Sequence, residues 1–214
     1  MKKIVVLISG QGTNLQALID ACRSSAIPAQ IVAVISNKAD AFGLQRAKSA
    51  AIPSKVFLRQ EFDSHLAMDQ QIADYIESVQ ADLIVLAGYM KILSAEFTQR
   101  FTGRILNIHP SLLPKYPGLH TYQQALDAGE QEHGTTVHFV NEEVDSGAII
   151  LQAKVPIFAD DEMTDIEERV KEQELRIYPL VVKWFVEDRL KLINGQAFLD
   201  HQLLPAQGYA AEEE

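Results

Sequence analysis

The chain has 214 residues, 47% of them hydrophobic, which is enough for one large α/β core. Its 19 Lys and Arg against 29 Asp and Glu give a formal net charge of -10, so it lacks the basic field that nucleic-acid binding needs. The one cysteine, Cys22, excludes an internal disulfide and suits a reducing compartment, and no apolar run approaches the ~20 residues of a membrane span.

These properties lead to the expectation of a cytoplasmic protein that binds neither nucleic acid nor membrane. The tail residues Glu212, Glu213 and Glu214 are expected to fray. Lys2-Lys3 followed by Ile4-Val5-Val6-Leu7-Ile8 looks superficially like a secretion signal, but the apolar run is too short and stops at Ser9-Gly10. Residues 3–8 read instead as a buried first strand. Ser9-Gly10-Gln11-Gly12-Thr13-Asn14 follows, then a helix with Leu15, Leu18, Ile19 and Cys22 at i, i+3, i+4 and i+7. That spacing puts Cys22 on the apolar face, where packing is expected rather than nucleophilic chemistry.

Strand, glycine turn and helix together present backbone N–H groups and a helix N-terminus to an anion. A dinucleotide fingerprint is broken here. Leu15 stands at its third glycine, and the next strand, 31–36, runs into Asn37-Lys38 with no acid for a ribose hydroxyl. No Gly-Lys-Ser/Thr is present either. A phosphate monoester site and a plain tight turn remain the two readings of this loop.

The alternation continues with a helix over 42–50, a short strand over 55–58 and a helix over 64–79 with Leu66, Ile72, Ile76 and Val79 inward. A buried strand over 83–87 ends at Gly88-Tyr89-Met90-Lys91-Ile92-Leu93, and Ser94 is placed to cap a helix backed by Phe97 and Phe101. Ile105-Leu106-Asn107-Ile108-His109 then reads as a central strand that Pro110 ends, having no N–H to give. Residues two apart share a strand face, so Asn107 and His109 stand side by side. A carboxamide can donate to a developing oxyanion, and an imidazole can move a proton. A capping Asn and a half-buried His would look the same.

After Lys115-Tyr116-Pro117-Gly118, a turn, a short helix is expected over 122–128 and strands over 135–140 and 149–155. Between those strands, Asp145 fits a turn-former as well as a functional acid. Thr164 or Asp165 opens a long helix to Trp184, with Ile166, Val170, Ile177, Val181 and Trp184 inward and Glu167, Lys171 and Glu174 on another face. Pro179 should kink it. Residues 190–199 read as a hairpin around Asn194-Gly195. The pattern is α/β: a Rossmann-like, mostly parallel twisted sheet with helices on both faces, the C-terminal part adding an antiparallel strand, a long helix and a hairpin. Ligands of such sheets bind beyond the carboxyl ends of the strands, where residues 10–14, 90–93 and 107–109 fall.

These residues resemble the folate-dependent formyltransferases. Asn107-Ile108-His109-Pro110-Ser111-Leu112-Leu113-Pro114 is similar to that family's catalytic segment. Gly134-Thr135-Thr136-Val137-His138-Phe139-Val140, followed by Val144-Asp145-Ser146-Gly147, is similar to its second signature. The likeness runs nearly end to end, and the loop at 9–14 points to the branch whose acceptor is glycinamide ribonucleotide. The resemblance implies a single domain over 1–214, with a phosphate-binding half (1–100) and a catalytic, folate-binding half (101–214). It implies a catalytic trio of Asn107, His109 and Asp145. It places the acceptor and its phosphate on Gly12, Thr13, Asn14, Lys171 and Glu174. The folate would lie against His65, Met90, Lys91, Ile92, Leu93, Asn107, Asn141 and Val144. His65 and Lys91 stand where close relatives commonly have arginine, and neither offers a bidentate fork to the folate tail.

The implied reaction moves a formyl group from 10-formyltetrahydrofolate, a cosubstrate, to the acceptor's amine in purine biosynthesis. Asn107 and a protonated His109 would stabilise the oxyanion, and Asp145 would favour the cationic ring. No metal is expected, since no His/Cys/Asp cluster has ligand spacing. Glycinamide ribonucleotide and the reduced folate are the expected partners, with the protein a monomer or weak homodimer. A formyltetrahydrofolate hydrolase usually carries an added N-terminal domain, and a transfer-RNA formyltransferase an added C-terminal one. A non-catalytic phosphate- or nucleotide-binding module would keep the loop but have no use for the trio.

Overall fold

The computed structural model describes residues 1–210; the acidic tail at Glu212, Glu213 and Glu214 lies outside the described residues. The chain divides into two compact units, Met1–Asn107 and Ile108–Glu214.

In the first unit, five parallel strands lie in the order β3-β2-β1-β4-β5. They are β1 (Lys2–Ile8), β2 (Ala29–Ser36), β3 (Ser54–Val56), β4 (Leu83–Leu86) and β5 (Ile105–His109). Helices α1 (Thr13–Arg23), α2 (Gly43–Ser49), α3 (His65–Ser78) and α4 (Ala95–Arg100) connect them, with a 3-10 turn at Arg59–Glu61. Ile4 to Ile8 and all of β4 are buried without alternation, as strands covered on both faces require. Each such side chain contributes roughly 1.5–3 kcal/mol. The chain steps outward from β1 through β2 to β3, then returns to the other side of β1 as β4. That reversal places a topological switch point between the carboxyl ends of β1 and β4.

Two helices start at serine caps, Ser94 as expected and Ser64, which was expected inside the helix, just before it. Ser64 accepts from Ala67 N at 3.0 Å, and Ser94 accepts from Phe97 N at 3.2 Å, each from an extended cap position. Ile72 and Ile76 are buried in α3, but Leu66 is exposed and Met68 takes its expected place inside. Met68, Ile72 and Ile76 repeat every four residues, whereas Leu66 sits well around the helix from that stripe. β5 crosses into the second unit: Ile105 to Asn107 register with β4, and Ile108 and His109 begin the second unit.

The second unit pairs β6 (Glu132–Phe139) with β7 (Ile149–Pro156) antiparallel, with α5 (Thr121–Asp127) before them and α6 (Met163–Val186) after. Helix α6 begins ahead of the expected Thr164 or Asp165. Glu162 is its N-cap, and the side chains of Glu162 and Asp165 each bond the other's backbone N–H in a capping box. Pro179 lies inside this helix. Val155 of β7 packs with Ile166 and Val170 of α6, flanked by Tyr122 and Leu126 of α5. β8 (Leu190–Ile193), β9 (Gln196–Leu199) and the unexpected β10 (Gln202–Leu203) form a separate antiparallel sheet. Asn194 and Gly195, at φ 51 and 75, make the tight turn between β8 and β9. The fold class is the expected one: a mostly parallel sheet with helices, then an antiparallel strand, a long helix and a hairpin.

Gly134 of β6 marks how closely β6, β7 and the turn after β5 approach. A Cβ there would stand 2.0 Å from Ala153 O and 2.7 Å from Leu112 Cδ2. Gly134→Ala should therefore destabilise by about 2 kcal/mol, within the range of overpacking penalties. In calorimetry that is a thermal midpoint lower by about 4–8 °C. An unchanged midpoint would show that β6 and β7 separate freely.

Candidate active site

The first unit supplies two loops at its switch point. The loop after β1 ends at Gly12, whose left-handed φ of 74 turns the chain into α1. No acidic residue stands in the first turn of α1, and no side chain caps it. Thr13 is exposed and Asn14 half-buried in that turn.

The loop after β4 is pinned at three backbone atoms. Met90 N donates to Ser9 Oγ at 2.8 Å, and Ser9 Oγ donates to Asn37 Oδ1 at 2.5 Å. His65 Nε2 donates to Ile92 O at 2.6 Å and lies 3.5 Å from Asp69 Oδ2. Ser94 N donates to the same Asp69 oxygen at 2.7 Å. Asp69 is only 1% exposed, so this is a buried carboxylate committed to the loop. Burial, helped by Asp69, pushes the Tyr89 hydroxyl far above the usual phenol range. Between the pins, Met90 and Ile92 project outward at 59% and 67% exposure, while Leu93 turns inward. Lys91 is exposed. His65 therefore holds the loop's backbone, and Lys91 lies free of any ion pair among the described residues. At the end of this unit, Asn107 is half-buried in β5, in register with Leu86.

In the second unit, His109 is 6% exposed, and each ring nitrogen faces an oxygen. Nε2 donates to Tyr116 O at 2.8 Å, and Nδ1 lies 3.5 Å from Asp145 Oδ1. The second Asp145 oxygen accepts Gly118 N at 2.8 Å. The Tyr116-Pro117-Gly118 turn thus holds both members of the pair. Tyr116 and Asp145 are left-handed, at φ 51 and 54. Asp tolerates that region better than most residues.

Two further contacts lock the end of β5. Thr135 Oγ1 lies 3.0 Å from His109 O and 3.3 Å from Glu174 Oε1, and Thr136 Oγ1 donates to Ser111 O at 2.7 Å. Glu174 of α6 is thereby brought beside the strand that carries His109. Lys171, one turn earlier, pairs with Glu167 at 2.7 Å. Asn141 accepts Glu143 N at 3.0 Å and Ser146 Oγ at 3.2 Å, shaping the turn that presents Asp145. Val144, at its tip, is 51% exposed. Gly147 closes that turn: a Cβ on it would fall 1.7 Å from Phe139 O.

The expected site residues thus fall into groups. In the first unit they are the loop of Gly12, Thr13 and Asn14, the pinned segment of Met90, Lys91, Ile92 and Leu93 with His65, and Asn107 on β5. In the second they are His109 with Asp145, the turn of Asn141 and Val144, and Lys171 and Glu174 on α6. Asp69, Tyr116, Gly118 and Thr135 were not singled out by the sequence. Their contacts are to backbone atoms or across long separations; the proline-glycine turn at 117–118 gave a local signal, and Thr135 fell inside the 134–140 segment without a role of its own. Among the described residues there is no group of three or more His, Cys, Asp or Glu that could hold a metal ion.

A sequence model of the family described as "Formyl transferase" matches residues 2–182. The chain belongs to this formyl transferase family. It is 67% identical to a phosphoribosylglycinamide formyltransferase of Haemophilus influenzae, over 99% of this chain and 100% of that one. It is 49% identical to the trifunctional purine biosynthetic protein adenosine-3 of Drosophila melanogaster, over 94% of this chain and 15% of that much longer protein. Among solved structures, a phosphoribosylglycinamide formyltransferase of Coxiella burnetii in complex with CHES aligns with a TM-score of 0.93 and 46% identity, covering 97% of this chain and 98% of that one.

Cys22 lies close in sequence to the first loop, but burial pushes its thiol up to about 11. The thiolate is the reactive form. At pH 8 the folded protein should react with a thiol reagent far more slowly than the unfolded chain, and the rate should climb as pH approaches 11. Equal rates at pH 8 in the two states would show an ordinary, accessible thiol.

Proposed function

We propose that this chain is a formyltransferase that moves the formyl group of 10-formyltetrahydrofolate to the amine of 5-phosphoribosylglycinamide in de novo purine biosynthesis. The observation that carries the reading is His109, buried with a carbonyl on one nitrogen and the Asp145 carboxylate on the other, two residues after Asn107 on the same strand. High identity to a named phosphoribosylglycinamide formyltransferase, through nearly the full length of both chains, supports the acceptor and the pathway.

In this reading the neutral amine of the acceptor attacks the formyl carbon, and the carbonyl electrons move onto oxygen. Asn107 donates a hydrogen bond to that oxyanion, an interaction worth about 10²–10³ in rate. His109, when doubly protonated, has a proton for each neighbouring acceptor and adds positive charge close to the oxyanion. The intermediate collapses by breaking the bond to N10 of the folate. One proton leaves the attacking nitrogen and one reaches N10, with Asp145 and His109 as the groups able to relay them. Gly12, Thr13 and Asn14 bind the acceptor's phosphate, and Lys171 and Glu174 bind the rest of the ribonucleotide. Met90, Lys91, Ile92 and Leu93, with His65, Asn107, Asn141 and Val144, line the folate site. The outward Met90 and Ile92 are apolar surface suited to a flat heterocycle, and their exposure supports this role. No metal is required.

The family match runs from residue 2 to residue 182, through both units, which supports one formyltransferase domain over 1–214 with a phosphate-binding half (1–100) and a catalytic half (101–214). A net charge of -10 and the small-molecule substrates favour a cytoplasmic enzyme acting as a monomer or weak homodimer, without nucleic acid or membrane. No helix among the described residues is long and apolar enough to cross a membrane.

The assay is the absorbance change on deformylation of a 10-formyl folate, run with and without glycinamide ribonucleotide. Signal only with the ribonucleotide is expected; equal signal in both would make the protein a hydrolase, and none in either would leave a binding module. Asp145→Asn keeps the shape and suits the left-handed backbone, so its thermal midpoint should stay near wild type. Turnover should fall about 10²-fold or more, the lower end for a proton-transfer group. Near-normal turnover would remove Asp145 from the mechanism.

A further inference from the structure

Helix α2 lies outside every role assigned so far, yet it contacts three successive residues of the loop after β1. Gly43 N donates to Gly10 O at 3.0 Å. Arg46 Nε donates to Gln11 O at 2.7 Å. At Gly12, the place a Cβ would occupy is 2.8 Å from Gly43 Cα and 3.4 Å from Arg46 Cδ. The two glycines meet backbone to backbone, and neither has room for a side chain. A Cβ on Gly43 would fall 2.4 Å from Ile8 Cδ1, 3.4 Å from Gly12 Cα and 3.5 Å from Gly10 O. Ile8 is fully buried at the end of β1, so its side-chain end and the backbone of Gly12 and Gly10 share the displacement that a methyl on Gly43 would force.

Charge adds a second reason. Residues 9–14 contain no Lys or Arg, so the loop offers an anion only backbone and neutral side-chain donors. Arg46 is the cation hydrogen-bonded to that loop. It stacks 5.0 Å over the Phe42 ring and makes no ion pair among the described residues. A guanidinium held by its Nε and by an aromatic face keeps a fixed position with little entropy left to lose, and its charge is not cancelled by a neighbouring acid.

We infer that Gly43 and Arg46 are positioning residues for the acceptor's phosphate. Gly43 sets the close backbone approach that gives the loop its shape. Arg46 fixes the Gln11 carbonyl and supplies the positive field the loop itself lacks. Neither touches the amine or the formyl carbon. The inference rests on the reading of residues 9–14 as the acceptor's phosphate loop, and it adds that acceptor affinity is set from α2.

The test compares Gly43→Ala and Arg46→Gln with wild type on two acceptors, glycinamide ribonucleotide and its dephosphorylated riboside, at saturating formyl folate. Each variant should raise KM for the ribonucleotide about tenfold, the size of one hydrogen bond to a charged group. Values of kcat and of KM for the folate should stay within about twofold, because the formyl site is untouched. The efficiency with the riboside should not change, since it carries no phosphate to misplace. A loss shared equally by both acceptors would mean general damage to the loop and would overturn the inference. So would an unchanged KM for the ribonucleotide in Arg46→Gln, a half-exposed site where folding is not at risk. Wild type using the riboside as well as the ribonucleotide would instead overturn the phosphate-loop reading itself.

Discussion

The contact around which the second unit's polar cluster is arranged is that between His109 and the two oxygens that flank it. A buried imidazole has two nitrogens to satisfy, and a site that satisfies only one leaves the ring free to flip. Here a backbone carbonyl takes one and a carboxylate faces the other. The carbonyl belongs to Tyr116, and the carboxylate is itself held by Gly118 N, two residues further along the same turn. One short turn thus orients the ring and its acid together. The left-handed residues at 116 and 145 are the conformational cost of this arrangement.

A comparable logic runs through the first unit, but there it is the backbone that is held. The loops after β1 and β4 carry few charged groups, and what matters is where their N–H and C=O groups point. Such loops cannot rely on side-chain packing for precision, so neighbouring elements grip the main chain directly. Asp69 and His65 grip the second loop through Ser94 N and Ile92 O, and α2 grips the first through Gly43 and Arg46. Two glycines meeting face to face are the extreme of this approach, since even a methyl would push the chains apart.

Much of the frame was legible in the sequence because its determinants are local. The uninterrupted apolar runs of β1 and β4, the serine before α4, and the Asn194-Gly195 turn each act within a few residues. Asn107 beside His109 was also readable, since strand geometry alone sets them on one face. The start of α6 was misjudged because glutamate is an uncommon N-cap and Thr164 offered a commoner one. Leu66 was misplaced because the first turn of α3 lies off the stripe that Met68, Ile72 and Ile76 define. The grips on the loops were out of reach for a different reason. They join residues as far apart as Ser9 and Met90, and often end on a carbonyl, which every residue type possesses and no sequence pattern announces.

Ser9 gives this wiring a mechanical consequence. Its hydroxyl gives its one proton to Asn37 and accepts from Met90 N, so a single buried atom belongs at once to the ends of three strands. Neither loop base can shift without straining the anchor of the other. The bases of the two loops are therefore one mechanical body: a displacement of either reaches the other through a single oxygen, while the exposed tips at Thr13, Lys91 and Ile92 lie outside that linkage.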